Sequence, residues 1–543
     1  MDTQSMDARS INPAQCVWTE SRFRISGRRA CGLRTVLGIV VVCCCWFPAP
    51  GPARAQDTAE LQALLGLEKT LVRLVAKSET SVVSIARFKS VEVARKRVDF
   101  GQLRSPLDDP ENPESLEFVP NDFGAGVIIA GPRDKNQRLV LTNYHVVRGG
   151  PQTGTSGSEF RLHVRFADRS GCYATIRSAD PRSDLAILDL DFPALGIQPA
   201  DLPALTLASA QSYRKGQLVL SLGNPYAIAR DGSATVSLGM ISNVARRPAP
   251  VVTDLESQDT STIHHFGTLL QVDCRQNLGT SGGALLNLRG ELIGVTTAMA
   301  ALDGYEKSVG YAIPIDTFSR RVIGELAGGF EVEYGFLGIQ TTHVHPSRLP
   351  DVRRRFQQSS APLVESVLPN SAAAAGKLAR GDVILAVNQH PVFAPYDLIR
   401  EVGRVGPGQP VKLRVWRPQA APDELNLTVI LGKWPVEDDQ GIIATRTRRP
   451  AVRGLSVDYP TARRKFLQGL EFLDAVLVLS VADGSPADAS DLAPGDFISH
   501  VNGKRVSNPQ QFHTEMSKHS GPVMLQVIDH GGPVRMVTLP PGD

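Results

Sequence analysis

Residues 277–285 read NLGTSGGAL, a glycine-rich turn that carries Ser281 and then enters a short apolar run. Two other polar residues occupy comparable places. His145 follows the apolar stretch LVLT at 139–142, and Asp184 precedes the apolar stretch LAIL at 185–188. In each case a polar side chain stands where a strand-like run meets a loop, which is where a rigid scaffold presents reactive groups. The three stretches predict a catalytic site built on short strands.

These three residue types together predict nucleophilic catalysis by a serine. A serine hydroxyl is a weak nucleophile at neutral pH, so a histidine must take its proton and later return it to the leaving group. We assign Ser281 as the nucleophile, His145 as the base and Asp184 as the acid that fixes the histidine tautomer. The amides of Gly279 and Ser281 can point at one oxygen, which predicts an oxyanion hole. The chain order differs from that of subtilisins and of α/β-hydrolases.

Short apolar runs separated by Gly, Pro, Asn and Asp surround these motifs. This pattern predicts an all-β barrel or sandwich. A charged, proline-bearing stretch at 89–122 interrupts it and predicts a long surface loop. Upstream, apolar residues at helical spacing predict a helix over residues 58–77, opening after Asp57 and Thr58. The predicted strands include 81–85, 126–129, 139–142, 162–166, 185–190, 218–222, 268–272 and 292–296.

The first 55 residues predict an export signal. Arginines between Arg22 and Arg34 precede an apolar run at 36–47, and the sequence ARA at 53–55 offers a cleavage site after Ala55. The apolar run is shorter than the roughly 20 residues that a membrane-spanning helix needs. An uncleaved signal anchor, which would attach the chain to a membrane, and a downstream start codon are the alternatives. Each alternative places the remainder outside the cytoplasm, in the periplasm or secreted.

Composition narrows the classes of function. The 543 residues predict three or four domains, and a net charge of +3 is too small to indicate a nucleic-acid partner. Five of the seven cysteines precede residue 56, which leaves Cys172 and Cys274. The sequence does not decide whether these two pair. Zinc-type spacings are lacking, so we predict no metal and no cofactor.

The C-terminal part contains an internal repeat with a period of roughly 110 residues, which is the size of a domain. A polar joint at 434–450 separates the two copies. The segments SVLPNSA (366–372), LARGDVI (378–384) and VNQ (387–389) recur as SVADGSP (480–486), LAPGDFI (492–498) and VNG (501–503).

Residues from about 81 to the C-terminus resemble the HtrA/Deg family of chymotrypsin-fold serine proteases. The resemblance rests on TNYHVV (142–147), DPRSDLA (180–186) and GTSGGAL (279–285), with support from GAGVII (124–129), SLGNP (221–225) and GELIGV (290–295). It implies a mainly β protein, with a chymotrypsin-like double six-stranded β-barrel followed by two PDZ domains of α+β type. The expected order is a signal peptide or anchor (1–55), a helix (56–80), the protease domain (81–330), the first PDZ domain (331–434), a linker (435–450) and the second PDZ domain (451–543).

The resemblance also implies a function. The family degrades misfolded proteins outside the cytoplasm, usually as trimers or larger assemblies, and without ATP or metal. We therefore expect an ATP-independent serine endopeptidase that acts on unfolded or C-terminally exposed polypeptides as a homotrimer or larger oligomer. Peptide binding would order loops around Ser281, including residues 231–242 and 255–265. A chaperone or scaffold with a distorted triad, and a processing protease specific for one partner, are the alternatives.

The segment before the nucleophile departs from the family pattern. Thr280 stands where the family usually has Asn. Residues 275–278 are more polar than the usual Ala-Ile pair, so the family's preference for a small aliphatic residue before the scissile bond is not expected to carry over. The residues predicted to lie beside that pocket are Arg275, Gln276, Asn277, Thr296 and Thr297.

Two glycine-containing segments resemble the loop that opens a PDZ domain. Their backbone N–H groups would hold a peptide carboxylate while the peptide adds to the sheet edge as a strand. Phe336 and Leu337 could instead be core residues of a strand, and the second copy, which lacks the aromatic residue, could serve assembly contacts. The predicted loop residues are Tyr334, Gly335, Phe336, Leu337 and Gly338 in the first copy, and Gly454 and Leu455 in the second.

Overall fold

The computed structural model describes residues 54–89, 122–148, 160–209, 212–224, 232–247, 262–297, 309–436, 441–467, 473–529 and 533–542, together with Phe118 and Pro120. Residues 1–53 of the predicted signal and nearly all of the predicted loop at 89–122 lie outside these ranges. The chain divides into two units between Leu64 and Leu65. Helix α1 (Arg54–Ser78) begins before the predicted start at Thr58. No helix in the described part of the chain has both the length and the apolar character needed to cross a membrane.

Six antiparallel strands form the first barrel, in the order β5-β4-β1-β2-β3-β6, and β5 pairs again with β6 to close it. Its interior is filled by alternating apolar side chains, among them Ile85, Val140 and Leu188. The strands are β1 (Val82–Lys89), β2 (Asp122–Ala130), β3 (Arg138–Asn143), β4 (Phe160–Arg165), β5 (Gly171–Asp180) and β6 (Leu185–Leu190), with helices α2 (Tyr144–Arg148) and α3 (Phe192–Leu195) after β3 and β6.

A second closed barrel follows, in the order β10-β11-β12-β9-β8-β7. One apolar core joins the two barrels, with Leu141 from the first and Leu222 and Val295 from the second. Burying one such side chain contributes about 1.5–3 kcal/mol, so the interface holds the barrels in a fixed relation. The strands are β7 (Leu218–Gly223), β8 (Thr235–Arg246), β9 (Leu269–Val272), β10 (Ala284–Leu286), β11 (Leu292–Thr297) and β12 (Gly310–Pro314), followed by helix α4 (Thr317–Ala327).

The first repeat copy forms a sheet in the order β14-β15-β16-β18-β19, covered by a helix. The helix that covers this sheet, α7, begins at Pro395, and proline is favoured at the first position of a helix. The elements are β13 (Gly335–Phe336), β14 (Ile339–His343), α5 (Leu349–Phe356), β15 (Pro362–Val367), α6 (Ala372–Ala375), β16 (Val383–Val387), β17 (His390–Pro391), α7 (Pro395–Gly403), β18 (Pro410–Trp416), β19 (Glu424–Ile430) and β20 (Gly432–Lys433).

The joint between the copies is not a free linker. Strand β21 (Ile443–Ala444) pairs with β5 of the first barrel, with Ile443 opposite Ala179. Strand β5 pairs with β4 only from Gly171 to Ala174, so its C-terminal half offers an open edge. An open edge presents unpaired backbone groups that favour the addition of a strand. The predicted linker at 435–450 thus includes two residues that add a strand to the sheet of the first barrel.

The second copy repeats the sheet of the first, in the order β22-β23-β24-β26-β27. A separate apolar core fills it, with Ile498, Phe512 and Leu525 fully buried. The elements are β22 (Leu455–Asp458), β23 (Val476–Val481), β24 (Phe497–Val501), β25 (Lys504–Arg505), α8 (Pro509–Met516), β26 (Val523–Ile528) and β27 (Val534–Leu539).

The two cysteines that follow the predicted signal do not pair. Cys172 lies in the core of the first barrel and Cys274 in the core of the second, and both thiols are free. Burial raises the pKa of Cys172 to about 11 and that of Cys274 to about 12. Both thiols are therefore protonated at neutral pH. Among the described residues, no group of three His, Cys, Asp or Glu side chains is placed to hold a metal ion.

Candidate active site

Strand pairing brings His145 and Asp184 together. His145 lies in the first turn of α2, directly after β3, and Asp184 ends the turn that precedes β6. Strands β3 and β6 pair antiparallel, so the ends that carry these two residues are adjacent. Ser281 lies in the loop between β9 and β10 of the other barrel, and its carbonyl accepts a hydrogen bond from the Ala125 amide in β2 at 2.8 Å. The predicted triad therefore lies where the barrels meet.

The histidine is oriented by the buried carboxylate. His145 Nδ1 lies 2.9 Å from Oδ1 and 3.0 Å from Oδ2 of Asp184, and the His145 amide donates to Oδ1 at 3.1 Å. Asp184 is 1% exposed. An ionised carboxylate only accepts hydrogen bonds, so Nδ1 carries the proton. The Nε2 atom of the neutral ring is then left to act as a base.

The charge of Asp184 also sets the pKa of His145. Burial alone would lower the pKa of the imidazole, because it disfavours the charged form. The charge of Asp184 and its hydrogen bond outweigh this effect and raise the pKa above the ordinary 6.5. A raised pKa makes the His145 imidazole a stronger proton acceptor.

Asp184 is itself held by its neighbours. Its backbone has φ of 51°, in the left-handed region, and its carbonyl accepts from the Tyr144 amide and from Asn143 Nδ2, both at 3.0 Å. Thr297 Oγ1 donates to Asp184 Oδ2 at 3.3 Å. Thr297, predicted to line the substrate pocket, thus lies behind the triad. A single sequence carries no signal for this contact, because it depends on how β11 of the second barrel packs against the first barrel.

The nucleophile loop depends on glycines. Gly279 has φ of 94° and Gly282 has φ of 84°, which side chains disfavour. A Cβ on Gly279 would lie 2.5 Å from the Asn224 carbonyl oxygen. The Gly282 and Gly283 amides donate to carbonyl groups, whereas the Gly279 amide has no acceptor within the described part of the chain. This leaves the Gly279 amide available for the predicted oxyanion hole.

The other predicted pocket residues divide into two groups. Thr296 is fully buried and its hydroxyl donates to the Thr280 carbonyl at 2.5 Å. This bond holds the backbone of the nucleophile loop. The Asn277 carbonyl accepts from the Thr280 amide at 3.0 Å and closes the turn before Ser281. Arg275 is exposed and Gln276 is half-buried. Residues 298–308 lie outside the described ranges.

The two repeat copies share one glycine position in the predicted carboxylate loops. Gly338 and Gly454 have φ of 78° and 88°. The Gly338 carbonyl accepts from the Leu368 amide, and the Gly454 carbonyl accepts from the Ala482 amide. Leu455 therefore corresponds to Ile339, in the edge strand, and it is fully buried.

The remaining first-copy residues lie in or beside this loop. Gly335 and Phe336 form β13, which pairs with β20. Leu337 is buried in the apolar core of the first copy, which matches the alternative of a core residue. Phe336 is half-buried.

Tyr334 does not belong to the carboxylate loop. Its side chain is 1% exposed, and its hydroxyl donates to the carboxylate of Asp180 in the first barrel. The same carboxylate accepts from the Ser183 amide at 3.0 Å and from Arg182 Nε at 3.1 Å. Tyr334 thus connects the chain entering the first repeat to the turn that carries Asp184. The sequence-based prediction placed Tyr334 in the loop because it is an aromatic residue beside a glycine. Its hydrogen-bond partner, Asp180, lies about 150 residues earlier, so the local sequence gives no sign of this contact.

A buried group of charges joins the second repeat to the same turn. We call it the Lys433 cluster. Lys433, 1% exposed, has its Nζ 2.6 Å from Asp458, 3.0 Å from Glu331 and 3.3 Å from Glu333. Burial would lower the pKa of Lys433, but the three carboxylates outweigh it and raise the pKa. The arginines that complete the cluster are Arg182, Arg448, Arg449 and Arg463.

A short turn at Ile263–Phe266 contacts both the triad turn and the first repeat. His264 Nε2 lies 2.9 Å from the Ser183 carbonyl oxygen, and the Ile263 amide donates to the Arg182 carbonyl. On its other side, Arg400 of α7 donates to the Phe266 carbonyl at 3.2 Å. Of the two predicted activation loops, 255–265 reaches this turn, whereas 231–242 is largely strand β8 from Thr235 onward.

Comparison with known proteins decides the family. The chain matches a trypsin-like peptidase domain over residues 124–295 and PDZ domains over 335–431 and 477–528. It is 30% identical over 440 residues to a probable periplasmic serine endoprotease, DegP-like, of Pseudomonas putida (strain GB-1), covering 79% of this chain and 80% of that protein. The chain belongs to the DegP-like serine endoprotease family.

Other DegP-like and HtrA-type proteins are also similar. A probable periplasmic serine endoprotease, DegP-like, of Hahella chejuensis (strain KCTC 2396) is 27% identical over 482 residues, covering 86% of this chain and 92% of that protein. The solved structure of the HtrA-type protease AlgW with tripeptide is 25% identical, covers 68% of this chain and 98% of that one, and has a TM-score of 0.47. For this DegP-like protease, the predicted family, fold class and serine endopeptidase class are confirmed.

Proposed function

We propose that this chain is an ATP-independent endopeptidase that cleaves unfolded polypeptides in the periplasm through an acyl-enzyme on Ser281. The observation that carries the proposal is the geometry of His145 against buried Asp184, with the Ser281 loop bonded to the same barrel. The periplasm is supported by the names of the relatives and by the predicted export signal.

Each step of the reaction follows from a named group. Ser281 Oγ attacks the scissile carbonyl carbon while His145 Nε2 takes the hydroxyl proton. The Gly279 and Ser281 amides stabilise the oxyanion of the tetrahedral intermediate. The protonated His145 then gives its proton to the leaving amine, and the acyl ester remains on Ser281. A water molecule, deprotonated by His145, hydrolyses that ester and restores the serine.

The first repeat is the better candidate for peptide binding. Its edge strand β14 carries exposed side chains at Gln340 and His343. The corresponding strand β22 is more buried, because its last residue, Asp458, is bonded to Lys433. A peptide that adds beside β14 would lie against α7. The second repeat then serves chiefly to join the parts of the chain.

Peptide binding at the first repeat has a direct physical route to the triad. Helix α7 contacts the Ile263–Phe266 turn, and that turn bonds to Ser183, the residue before Asp184. A shift of α7 on peptide binding would change the support of Asp184. Such coupling shifts a population between two arrangements of the catalytic turn.

A fluorophosphonate probe and a cleavage assay test the proposed activity. Wild-type protein is expected to be labelled and to cleave reduced, unfolded substrates faster than the same proteins in native form. Ser281→Ala is expected to do neither, and Ser485→Ala, in the second repeat, is the matched control that retains both. Absence of labelling in the wild type with unfolded substrate present would support the chaperone alternative. Cleavage confined to one native partner would support the processing protease.

A further inference from the structure

A cavity of about 380 Å³ opens in the first barrel where strands β4 and β5 part. The two strands pair only as far as Leu162 and Ala174, and the residue before Leu162, Arg161, pairs with β1 instead. Strand β21 contributes Ile443 to the wall of this gap. We call the cavity the wedge pocket. Its volume falls within the range of pockets that bind small molecules, about 300–1,000 Å³.

Most of the surface of the wedge pocket is apolar. Val147 of α2 lines it together with the barrel residues Leu162 and Ala174, and all three side chains are buried. Ile176 and Ile443, which are half-buried, lie beside them. Water that leaves such a surface for an apolar group lowers the free energy. The lining therefore favours a ligand with an apolar body.

Three arginines also line the wedge pocket, whereas its described lining residues include no Asp or Glu. Arg87 is buried, pairs with Asp122 and donates from Nη1 to the Arg148 carbonyl at 2.7 Å. Arg161 is exposed and has no acidic partner in the described part of the chain. Positive charge therefore exceeds negative charge among the described groups at the pocket, which favours an anionic ligand.

The contacts of Arg161 leave its hydrogen-bond donors available. Its Cζ lies 4.0 Å from the centroid of the Tyr173 ring, as Arg87 Cζ does from that of Phe160. A guanidinium that stacks on a ring keeps its N–H groups in its own plane, at its edge. A carboxylate can accept two of these groups at once. Arg161 can thus bind a carboxylate without leaving Tyr173.

We propose that the wedge pocket binds a small monoanion with an apolar body, of the class of a fatty-acid carboxylate. The apolar body lies against Ile176 and Ile443, and the carboxylate accepts from Arg161. The pocket also contacts α2 through Val147 and Arg148, which follow His145 closely in the chain. A bound ligand is therefore expected to reduce the local opening of the helix that carries His145.

Titration calorimetry with decanoate and the full chain tests the proposal. We expect a Kd on the order of 0.1 mM, which is typical of a ligand with about twelve non-hydrogen atoms. Decanol lacks the charge and acetate lacks the apolar chain, so each is expected to bind at least about tenfold more weakly. Decanoate is also expected to slow hydrogen–deuterium exchange in the segment Tyr144–Arg148 about twofold or more.

Two arginine substitutions locate the binding. Arg161→Met keeps an apolar stem but removes the guanidinium, so decanoate is expected to bind at least about tenfold more weakly. Arg247→Met is the matched control, because Arg247 is also exposed and its Cζ lies 4.5 Å from the centroid of a tyrosine ring, that of Tyr396. Arg247 does not line the wedge pocket, so this change should leave the affinity unaltered. Both side chains are exposed, and we expect both variants to fold.

Three results would overturn the proposal. The first is the absence of decanoate binding to the wild type at about 1 mM. The second is equal affinity for decanoate and decanol, since the arginines would then have no role. The third is equal affinity of the two variants for decanoate, which would place any binding outside the wedge pocket. Binding is measured without cleavage, so these results are independent of whether Ser281 acts as a nucleophile.

Discussion

The carboxylate of Asp184 is fixed from two directions. The histidine ring and amide approach it from α2, and the Thr297 hydroxyl approaches it from the second barrel. Its backbone carbonyl is held as well, by Asn143 and Tyr144. A group so constrained cannot rotate to follow a moving histidine. The ring of His145 is thereby kept in the orientation that the proposed general-base catalysis requires.

Asp184→Asn removes the negative charge of the side chain while nearly preserving its shape. We expect kcat to fall by roughly 10⁴, because an amide no longer fixes the tautomer or stabilises the imidazolium. The wild-type His145 pKa lies above 6.5, so activity is lost as the pH falls through a midpoint above 6.5. Without the carboxylate, burial dominates and the midpoint moves below 6.5. The measurement is kcat/KM from pH 5 to 9.

Asp189→Asn is the matched control for this experiment. Asp189 lies in the same barrel, where it pairs with Arg177. Its removal is expected to leave both kcat and the midpoint unchanged. An identical midpoint in wild type and Asp184→Asn would contradict the assigned role of the carboxylate.

Among the elements, β21 shows the clearest effect of a distant segment on the catalytic domain. It lengthens the first barrel's sheet at Ser178 and Ala179, just before the triad turn. Gly441, which precedes it, lies against the ring of Tyr144: a Cβ at Gly441 would be 2.9 Å from Tyr144 Oη. A strand of two residues is held mainly by one apolar contact, that of Ile443 with the barrel core.

Ile443→Asp is expected to release β21 from β5. The change removes the apolar contact of half-buried Ile443 and places a hydrated carboxylate against the apolar barrel, so the strand should detach. Hydrogen–deuterium exchange of the segment Ser178–Ala179 is expected to rise severalfold, because local opening exposes the amide that faces β21, while the other amide still faces β6. Ala444→Asp is the control, since residue 444 is exposed and should tolerate the change. Equal exchange in the two variants would show that β21 does not depend on Ile443.

The strands were predictable where burial is nearly continuous. Residues 185–190 were predicted as a strand and are β6, and 139–142 lies within β3, because unbroken apolar runs mark their ends. Strands β5 and β8 escaped prediction. In β5, polar residues such as Arg177 and Ser178 interrupt the pattern, since they donate to backbone carbonyl groups of α4, outside the barrel. In β8 many side chains stay exposed, so no alternation is visible in the sequence.

At the scale of the whole molecule, the Lys433 cluster holds three segments that are far apart in the chain. Glu331 and Glu333 precede the first repeat, Lys433 ends it, and Asp458 belongs to the second. Arg182, in the triad turn, lies 3.8 Å from Glu331. The types and order of the domains could be predicted from local motifs. This junction could not be predicted. In the sequence its charged residues look like any residues of the surface, and only the fold brings them together and buries them.

Lys433→Met is expected to destabilise the junction by about 3–5 kcal/mol, because it removes the cation shared by the buried carboxylates of Glu333 and Asp458 and the half-buried carboxylate of Glu331. Methionine keeps the length of the side chain, so little packing is lost. The measurement is the unfolding midpoint in guanidinium, together with protease sensitivity at 445–451. Lys504→Met is the matched control, since Lys504 is exposed where it pairs with Glu515. That change should leave the unfolding midpoint nearly unchanged, because exposed ion pairs contribute little, and equal effects of the two substitutions would refute the role of the cluster.

The position of β21 also has a consequence for biosynthesis. A ribosome completes all twelve barrel strands by Pro314, yet the partner for the open half of β5 is not made until Ala444. In the interval, a nascent chain carries an uncovered sheet edge that another molecule could occupy. A gene truncated after the first PDZ domain would leave this sheet edge permanently uncovered. Such a product would lack the second PDZ domain, and its protease domain would also be left with an unfinished edge.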